Sequence, residues 1–340
     1  MNQIFTIRRC LALAALNFAL AGSLSAQFVI ANAQEAQAYG AVANQGHTAL
    51  SSASAFALGS LGSVSAGSGF HGGYSYDNVE TDPVGTDRAF DTDITQHSAN
   101  FGYVHHFEKV VAGLSLSYID SEVEANYAEA GNTGVVDLDA DGWIVSGAVA
   151  NTWDQFTLSV VAGFGLLSED GSRRGVFGES QSSFDTDLYY VTIDGNYDIT
   201  VSERMTVAPF VQFNYLNVSS SSFAESGAAD SGNVDSIDRD WMTSELGLRS
   251  LVNVSDALTA FVVLSWEYDL NSSDTELSGY DNVGAFGALD IPDVGESRLK
   301  AVVGVDYNLS ENCALSADFS FAGGDDYEAF GAGGRISYMF

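Results

Sequence analysis

The stretch that decides the architecture is the end of the chain, Phe330-Gly331-Ala332-Gly333-Gly334-Arg335-Ile336-Ser337-Tyr338-Met339-Phe340. Phe330, Ala332, Gly334, Ile336, Tyr338 and Phe340 share one phase of a two-residue repeat. Gly331, Gly333, Arg335, Ser337 and Met339 share the other. Successive side chains of a β-strand point to opposite faces, so this is a strand with an apolar, aromatic face and a small, polar one. The pattern recurs upstream. Leu315, Ala317, Phe319 and Phe321 alternate with Ala314, Ser316, Asp318 and Ser320, and Leu299, Ala301, Val303, Val305, Tyr307 and Leu309 with Lys300, Val302, Gly304, Asp306 and Asn308. Ala260, Val262, Leu264, Trp266, Tyr268 and Leu270 alternate with Ser265, Glu267 and Asp269 in the same way.

The charges discriminate between the two architectures that alternate like this. Glu245, Arg249, Glu267, Lys300, Asp306, Asp318 and Arg335 all take the polar phase, while aromatics (Phe213, Tyr215, Tyr268, Tyr307, Tyr338, Phe340) edge the apolar phase near strand ends. A soluble sandwich would turn its charges to bulk water and its apolar face to a second sheet. An apolar band edged by aromatics, opposite a polar, glycine-rich face, is the pattern of a barrel embedded in lipid. The repeat predicts about twelve strands: 67–79, 93–107, 109–121, 141–152, 155–168, 186–199, 203–217, 240–253, 257–270, 297–309, 312–322 and 326–340. Tight turns are expected at Glu108, Trp153-Asp154, Thr200 to Ser202, Asn253 to Ala257 and Ser310-Glu311. Long acidic Gly/Ser/Asp loops are expected at 122–140, 169–185, 218–239 and 271–296, with a short last hairpin, Gly323 to Asp325. Short turns on one rim and long loops on the other, with an even strand count, predict an all-β fold: a transmembrane antiparallel up-and-down barrel with both ends periplasmic.

Ahead of the strands, Arg8 and Arg9 precede an apolar run from Leu11 to Leu24 and small residues ending at Ser25-Ala26. That order is a secretory signal, 1–26, with cleavage after Ala26; a second possible site follows Ala33. Cys10 belongs to the leader, so Cys313 is the one cysteine after it and no intrachain disulfide can form. No run of 18 apolar residues follows, so no transmembrane helix is expected. The chain has 35 Gly, 15 Tyr and 21 Phe against 3 Pro, a composition suited to many short strands and foreign to disorder. A net charge of −33 argues against nucleic acid and anionic lipid as partners, both of which need a basic surface. Residues 27–66 form an Ala/Ser/Gly-rich linker, in which 34–58 is either a helix, about 37 Å long and able to cross the lumen, or a disordered tether.

Several stretches resemble the autotransporter β-domain, the translocator barrel of type V secretion: Val207-Ala208-Pro209-Phe210 leading to Phe213-Asn214-Tyr215, Leu246-Gly247-Leu248-Arg249, Ser265-Trp266-Glu267-Tyr268, and Asp306-Tyr307-Asn308-Leu309-Ser310. The terminal Gly334 to Phe340 fits as well, so the resemblance spans 67–340. It implies that Ile336, Tyr338 and Phe340 form the signal read by the outer-membrane assembly machinery, and that a helix threads the pore. The departure is the missing passenger: no solenoid repeat precedes the strands.

Other constellations carry less. Asp137-Leu138-Asp139-Ala140-Asp141-Gly142 resembles the start of a calcium loop, but Ala148 stands where a Glu is needed, so an acidic loop entering a strand is expected. His105 and His106 fall on opposite faces of one strand and cannot converge on a ligand. His47, His71 and His97 suggest no acid or nucleophile partner, so no catalytic, cofactor or metal site is assigned. Glu245, Arg249, Glu267, Lys300, Asp306 and Arg335 are expected to line the lumen, either bracing the wall or setting ion selectivity. The reading is of a monomeric translocator-type barrel in the outer membrane of a Gram-negative bacterium. Its partners are outer-membrane lipid, the barrel assembly machinery and periplasmic chaperones, and it exports or displays at most a short N-terminal segment. A structural or porin-like barrel and an outer-membrane hydrolase are the alternatives.

Overall fold

The computed structural model describes residues 41–62, 68–81, 91–129, 132–175, 178–228, 231–271, 276–280, 285–290, 297–324 and 327–340. The expected leader and cleavage point, residues 27–40 of the linker, and Asp325 of the last hairpin lie outside them.

A helix, α1 (Ala41–Gly62), precedes strands β1 (Gly69–Thr81), β2 (Thr92–Phe107), β3 (Val110–Glu129), β4 (Asn132–Trp153), β5 (Phe156–Gly175), β6 (Gly178–Tyr197), β7 (Ile199–Ser202) and β8 (Met205–Ser220). There follow β9 (Phe223–Ala224), β10 (Asn233–Val234), β11 (Asp238–Asn253), β12 (Leu258–Asp269), β13 (Glu276–Tyr280), β14 (Ala285–Asp290), β15 (Ser297–Ser310), β16 (Cys313–Gly324) and β17 (Tyr327–Met339). β1–β6, β8, β11, β12 and β15–β17 make one antiparallel ring in chain order. The ring closes where β17 meets β1, from Gly69↔Met339 to Thr81↔Tyr327. Closure leaves no sheet edge facing lipid, where an unpaired amide or carbonyl would cost several kcal/mol.

The two-residue repeat survives in three dimensions. On β17, Phe330, Ile336, Tyr338 and Phe340 point outward, while Gly331, Arg335 and Ser337 point inward. An aromatic girdle on the rim of short turns joins Phe70, Phe101, Tyr103 and Phe340; the ring of Phe340 lies 5.8 Å from that of Phe70 and 6.4 Å from that of Tyr103. At the other border of the band Tyr118 packs on Trp143, Phe164 on Tyr189 and Trp266 on Tyr268. Two turns of the short rim place a non-glycine residue in the left-handed region, Glu108 (φ 52) and Asp154 (φ 54), as two-residue hairpin loops often require.

Four strands run further than expected. The segments 122–140 and 169–185, read as acidic loops, belong almost wholly to β3, β4, β5 and β6, which stay paired as far as Glu129↔Asn132 and Gly175↔Gly178. Their Asp, Glu, Ser and Gly residues mimic a loop because the extensions stand in water beyond the apolar band. Glu122, Glu124, Asp139 and Asp170 face outward there, while Val123, Leu138 and Phe184 face in. The acidic run at Asp137 is therefore strand, not loop. The segment 218–239 is likewise shorter as a loop than expected, since β8 reaches Ser220 and β11 starts at Asp238, with β9 and β10 between.

At Gly142 an added Cβ would run into the Leu166–Leu167 backbone of β5. Gly142→Val is accordingly expected to lower the yield of heat-modifiable folded barrel severalfold on an unboiled gel. Asp139→Asn, on the exposed face of the same strand, should leave it unchanged.

Candidate functional site: the barrel lumen

α1 lies inside the barrel. Gln45 Nε2 donates to the Ser121 carbonyl (3.3 Å) towards the extended rim, and Leu61 packs with Val104 and Ala150 near the short-turn rim. The helix therefore runs from the extended rim to the short one, about 33 Å at 1.5 Å per residue. It runs past the end of the span 34–58 expected for it, to Gly62, and residues 34–40 lie outside the described residues. Alanine favours a helix, but the serines and glycines of α1 weaken it in water, so it depends on its surroundings. Small size is what this position demands. A Cβ at Gly46 would stand 2.7 Å from Val218, and one at Gly59 2.6 Å from the Arg335 guanidinium. Val42, Ala49, Leu50 and Ala53 join a buried cluster with Ile94, Ile119, Ile144 and Leu188 of β2–β6 and with Trp241 of β11. Polar contacts set the register: Ser52 Oγ donates to Asp77 (2.7 Å) and accepts from Gln96 (3.2 Å), and Ser54 bonds Thr192 (2.8 Å).

The opposite wall, β11 to β17, carries the charges, and the structure sorts the six expected lumen residues into separate groups. Lys300 Nζ lies 3.2 Å from Glu245 and 2.5 Å from Glu267, and Glu267 also takes Arg298 at 2.6 Å. Arg249 turns instead to Asp194, at 3.1 and 2.6 Å, with its guanidinium 4.0 Å above the Phe210 ring. Asp306 accepts from Ser316 (2.5 Å), which in the sheet register separates it from Arg335. Arg335 lies instead against Gly59 of α1. Asp194 and Arg298 were missed by the sequence reading, although Arg298 shares the phase of Lys300 and Asp194 that of Thr192. The phase was legible; the partners were not.

The histidines take structural positions. His47 packs on Trp241, ring centroids 5.3 Å apart, and His71 Nδ1 meets Ser337 Oγ at 2.9 Å inside the wall. His105 bonds Ser68 (2.7 Å) at the short-turn rim, and His97 bonds Tyr74 (2.5 Å) on the outer surface. At Asp137 the outward carboxylates alternate with buried Leu138 and Ala140, and Asp137 pairs with Arg174 at 2.7 Å. Among the described residues no group of three His, Cys, Asp or Glu side chains could hold a metal ion.

One acidic group escaped the sequence reading because its segment read as a loop. Glu169 points inward from the extension of β5, above the apolar band, where its outward neighbours are Ser168 and Asp170. Its carboxyl is fully buried beside Ala140 and Phe184, with no hydrogen bond of normal geometry among the described residues. Burial, which favours the protonated form, pushes its pKa up to about 8, opposed only by the nearby Thr186 hydroxyl.

The barrel fold has counterparts among known proteins. The autotransporter beta-domain family model matches residues 70–320, most of the barrel. The chain belongs to the autotransporter β-domain family. The translocator domain of the autotransporter NalP from Neisseria meningitidis superposes with a TM-score of 0.71 at 17% identity, covering 88% of this chain and 98% of that one. The transport unit of AIDA-I from Escherichia coli gives 0.63 at 12% identity, over 80% and 90%. The toluene transporter TodX of Pseudomonas putida gives 0.51 at 9%, over 81% and 90%. At these identities the likeness is one of fold. No curated protein matches the sequence. The solved relatives are translocator barrels and channels.

Two outcomes follow for this autotransporter-type barrel. Glu267→Gln leaves buried Arg298 without its carboxylate and strips Lys300 of one of two partners, so the refolded barrel should lose on the order of 3 kcal/mol in urea unfolding. The carboxyl of Glu169 holds its proton in the folded state to a higher pH than in the unfolded chain. Its contribution is full below the unfolded value and is lost as pH rises towards about 8. The melting temperature should therefore fall from pH 5 to pH 9 by more in the parent than in Glu169→Gln.

Proposed function

We propose that this chain is a translocator whose N-terminal segment is exported or displayed: residues 1–26 are a cleaved leader, 27–66 the carried segment, and 67–340 the barrel. The observation that supports this best is α1, which fills the lumen with its N-terminal end at the extended rim and joins β1 at the short-turn rim. In a Gram-negative outer membrane the short turns face the periplasm, so whatever precedes α1 emerges at the cell surface. The lumen charges Glu245, Arg249, Glu267 and Lys300 serve to brace the wall, since their ion pairs cross strands and tie β6, β11, β12 and β15 together, while Asp306 bonds Ser316 and Arg335 lies against α1. The protein acts as a monomer and not as an enzyme. Its partners are membrane lipid, the assembly machinery that reads Ile336, Tyr338 and Phe340, and the periplasmic chaperones. Those three side chains project outward on the last strand, where a partner can reach them before the ring closes.

The test is protease shaving of intact cells expressing an epitope placed after Ala33. Loss of the epitope with an intact barrel is the expected result, and full protection would remove the export reading. The porin-like alternative is favoured by one observation, the fold shared with a channel. Steady conductance in a planar bilayer with residues 27–66 in place would support it, whereas a plugged barrel conducts only after their deletion.

A further inference from the structure

β8 leaves the wall at Ser220, but its neighbour β6 runs on to Gly178, and their register begins only at Thr186↔Ser220. The edge of β6 from 178 to 185 would thus be left open, a row of unpaired backbone groups. Residues 221–226 cover it. Ser221 N donates to the Asp185 carbonyl (2.9 Å), and Gln181 and Ser226 exchange two backbone bonds of 2.8 and 2.9 Å. The chain then turns through Gly227 in the left-handed region (φ 126) and returns as β10. β10 pairs with β9 and with β13, giving a small four-stranded sheet β14-β13-β10-β9 beside the extended wall.

This segment reaches into the mouth of the barrel. Phe223 stacks on the inward-facing Phe184, ring centroids 4.2 Å apart. Glu225 grips the inward-facing Arg173 through two bonds of 2.8 and 2.9 Å, and their side chains are 6% and 1% exposed. Arg173 also donates to Ser180 (3.2 Å), and Ser180 bonds Ser231 (2.8 Å) on the far side of the turn. Val234 and Ile237 complete the buried cluster that includes Ala41, Val42 and Ala43 at the start of α1. A rim loop that only joined two strands would leave its charges in water. Here an ion pair is buried, and such a pair holds only while both members are present.

We propose that residues 221–228 and 231–237 form a latch that closes the external mouth of the lumen over α1, with the Arg173–Glu225 pair as its catch. Its role as a gate on export rests on the reading given above. Its closure does not. When the latch lifts, both ions regain water; when it shuts, the two charges lie buried against each other, so neutralising one member removes that pairing and favours the open form. Removing both charges removes that bias.

The test uses Ala140→Cys, a nearly isosteric thiol on the buried wall below the latch, in a Cys313→Ser background. Cells displaying the full chain are treated from outside with a membrane-impermeant maleimide. The parent should label slowly, E225Q at least tenfold faster, and R173M/E225L at close to the parent rate. Labelling of E225Q at the parent rate overturns the latch, and equal rates for E225Q and R173M/E225L overturn the catch. If E225Q does not assemble, Phe223→Ala takes its place, and labelling of that variant at the parent rate is likewise fatal. Epitope shaving separates the two readings. Faster labelling with a permanently protected epitope keeps the latch and removes export, while equal epitope exposure in E225Q and the parent keeps export and removes the gate.

Discussion

Inside a hydrocarbon layer a backbone amide has nothing to bond except another backbone group, and that constraint organises the whole molecule. It is met by a ring of twelve strands whose first and last members, β1 and β17, pair over their full length. From closure the rest follows. The outer surface must be apolar through the band and can carry aromatic rings at its borders, as Phe340 does between Phe70 and Tyr103. The inner surface becomes a separate environment whose polar groups must find partners within the barrel.

The lumen meets that demand in two ways. Against β1–β8 the filling is α1, whose small residues pack closely on apolar side chains of the wall. Against β11–β17 it is charge set beside charge. Glu267 holds both Arg298 and Lys300, and Asp194 holds Arg249 on its aromatic platform. The glycines on the inner face of β17 belong to the same arrangement. A Cβ at Gly333 would stand 3.0 Å from the Asp318 carboxylate, so the missing side chain is the room that Asp318 occupies. A barrel filled like this holds its helix through close apolar packing and a few hydroxyl bonds, so the path is occupied without the helix being paired into the wall.

Beyond the membrane the rules change and so does the wall. β3–β6 continue into water, their outer faces become acidic and their inner faces set Val123, Leu138 and Phe184 beside buried Glu169 and Arg173, so the lumen extends upward as a half-dome. Residues 221–228 and 231–237 complete the dome, and burial beneath it raises the pKa of Glu169. These features lie outside the lipid band, where strand length is free of membrane thickness and can serve the opening itself.

The period of two was legible throughout: it named the outward phase of Ile336, Tyr338 and Phe340, put Glu245, Glu267 and Lys300 inside, and predicted the ring and its strand number. A period reports which face a side chain takes, because that depends only on neighbours in the chain. It does not report who stands opposite. That Arg249 chooses Asp194 over Glu245, or that Arg335 lies on Gly59, depends on residues far apart in sequence brought together by the closing of the ring. Strand ends were misread at 122–140 and 169–185 for a related reason, since Asp, Ser and Gly suit a loop and a water-exposed strand equally well. The Arg173–Glu225 pair joined two such segments, so its burial arose only when the sheet edge of β6 recruited its cover. Local alternation is written residue by residue along the chain; pairing and closure belong to the assembled ring.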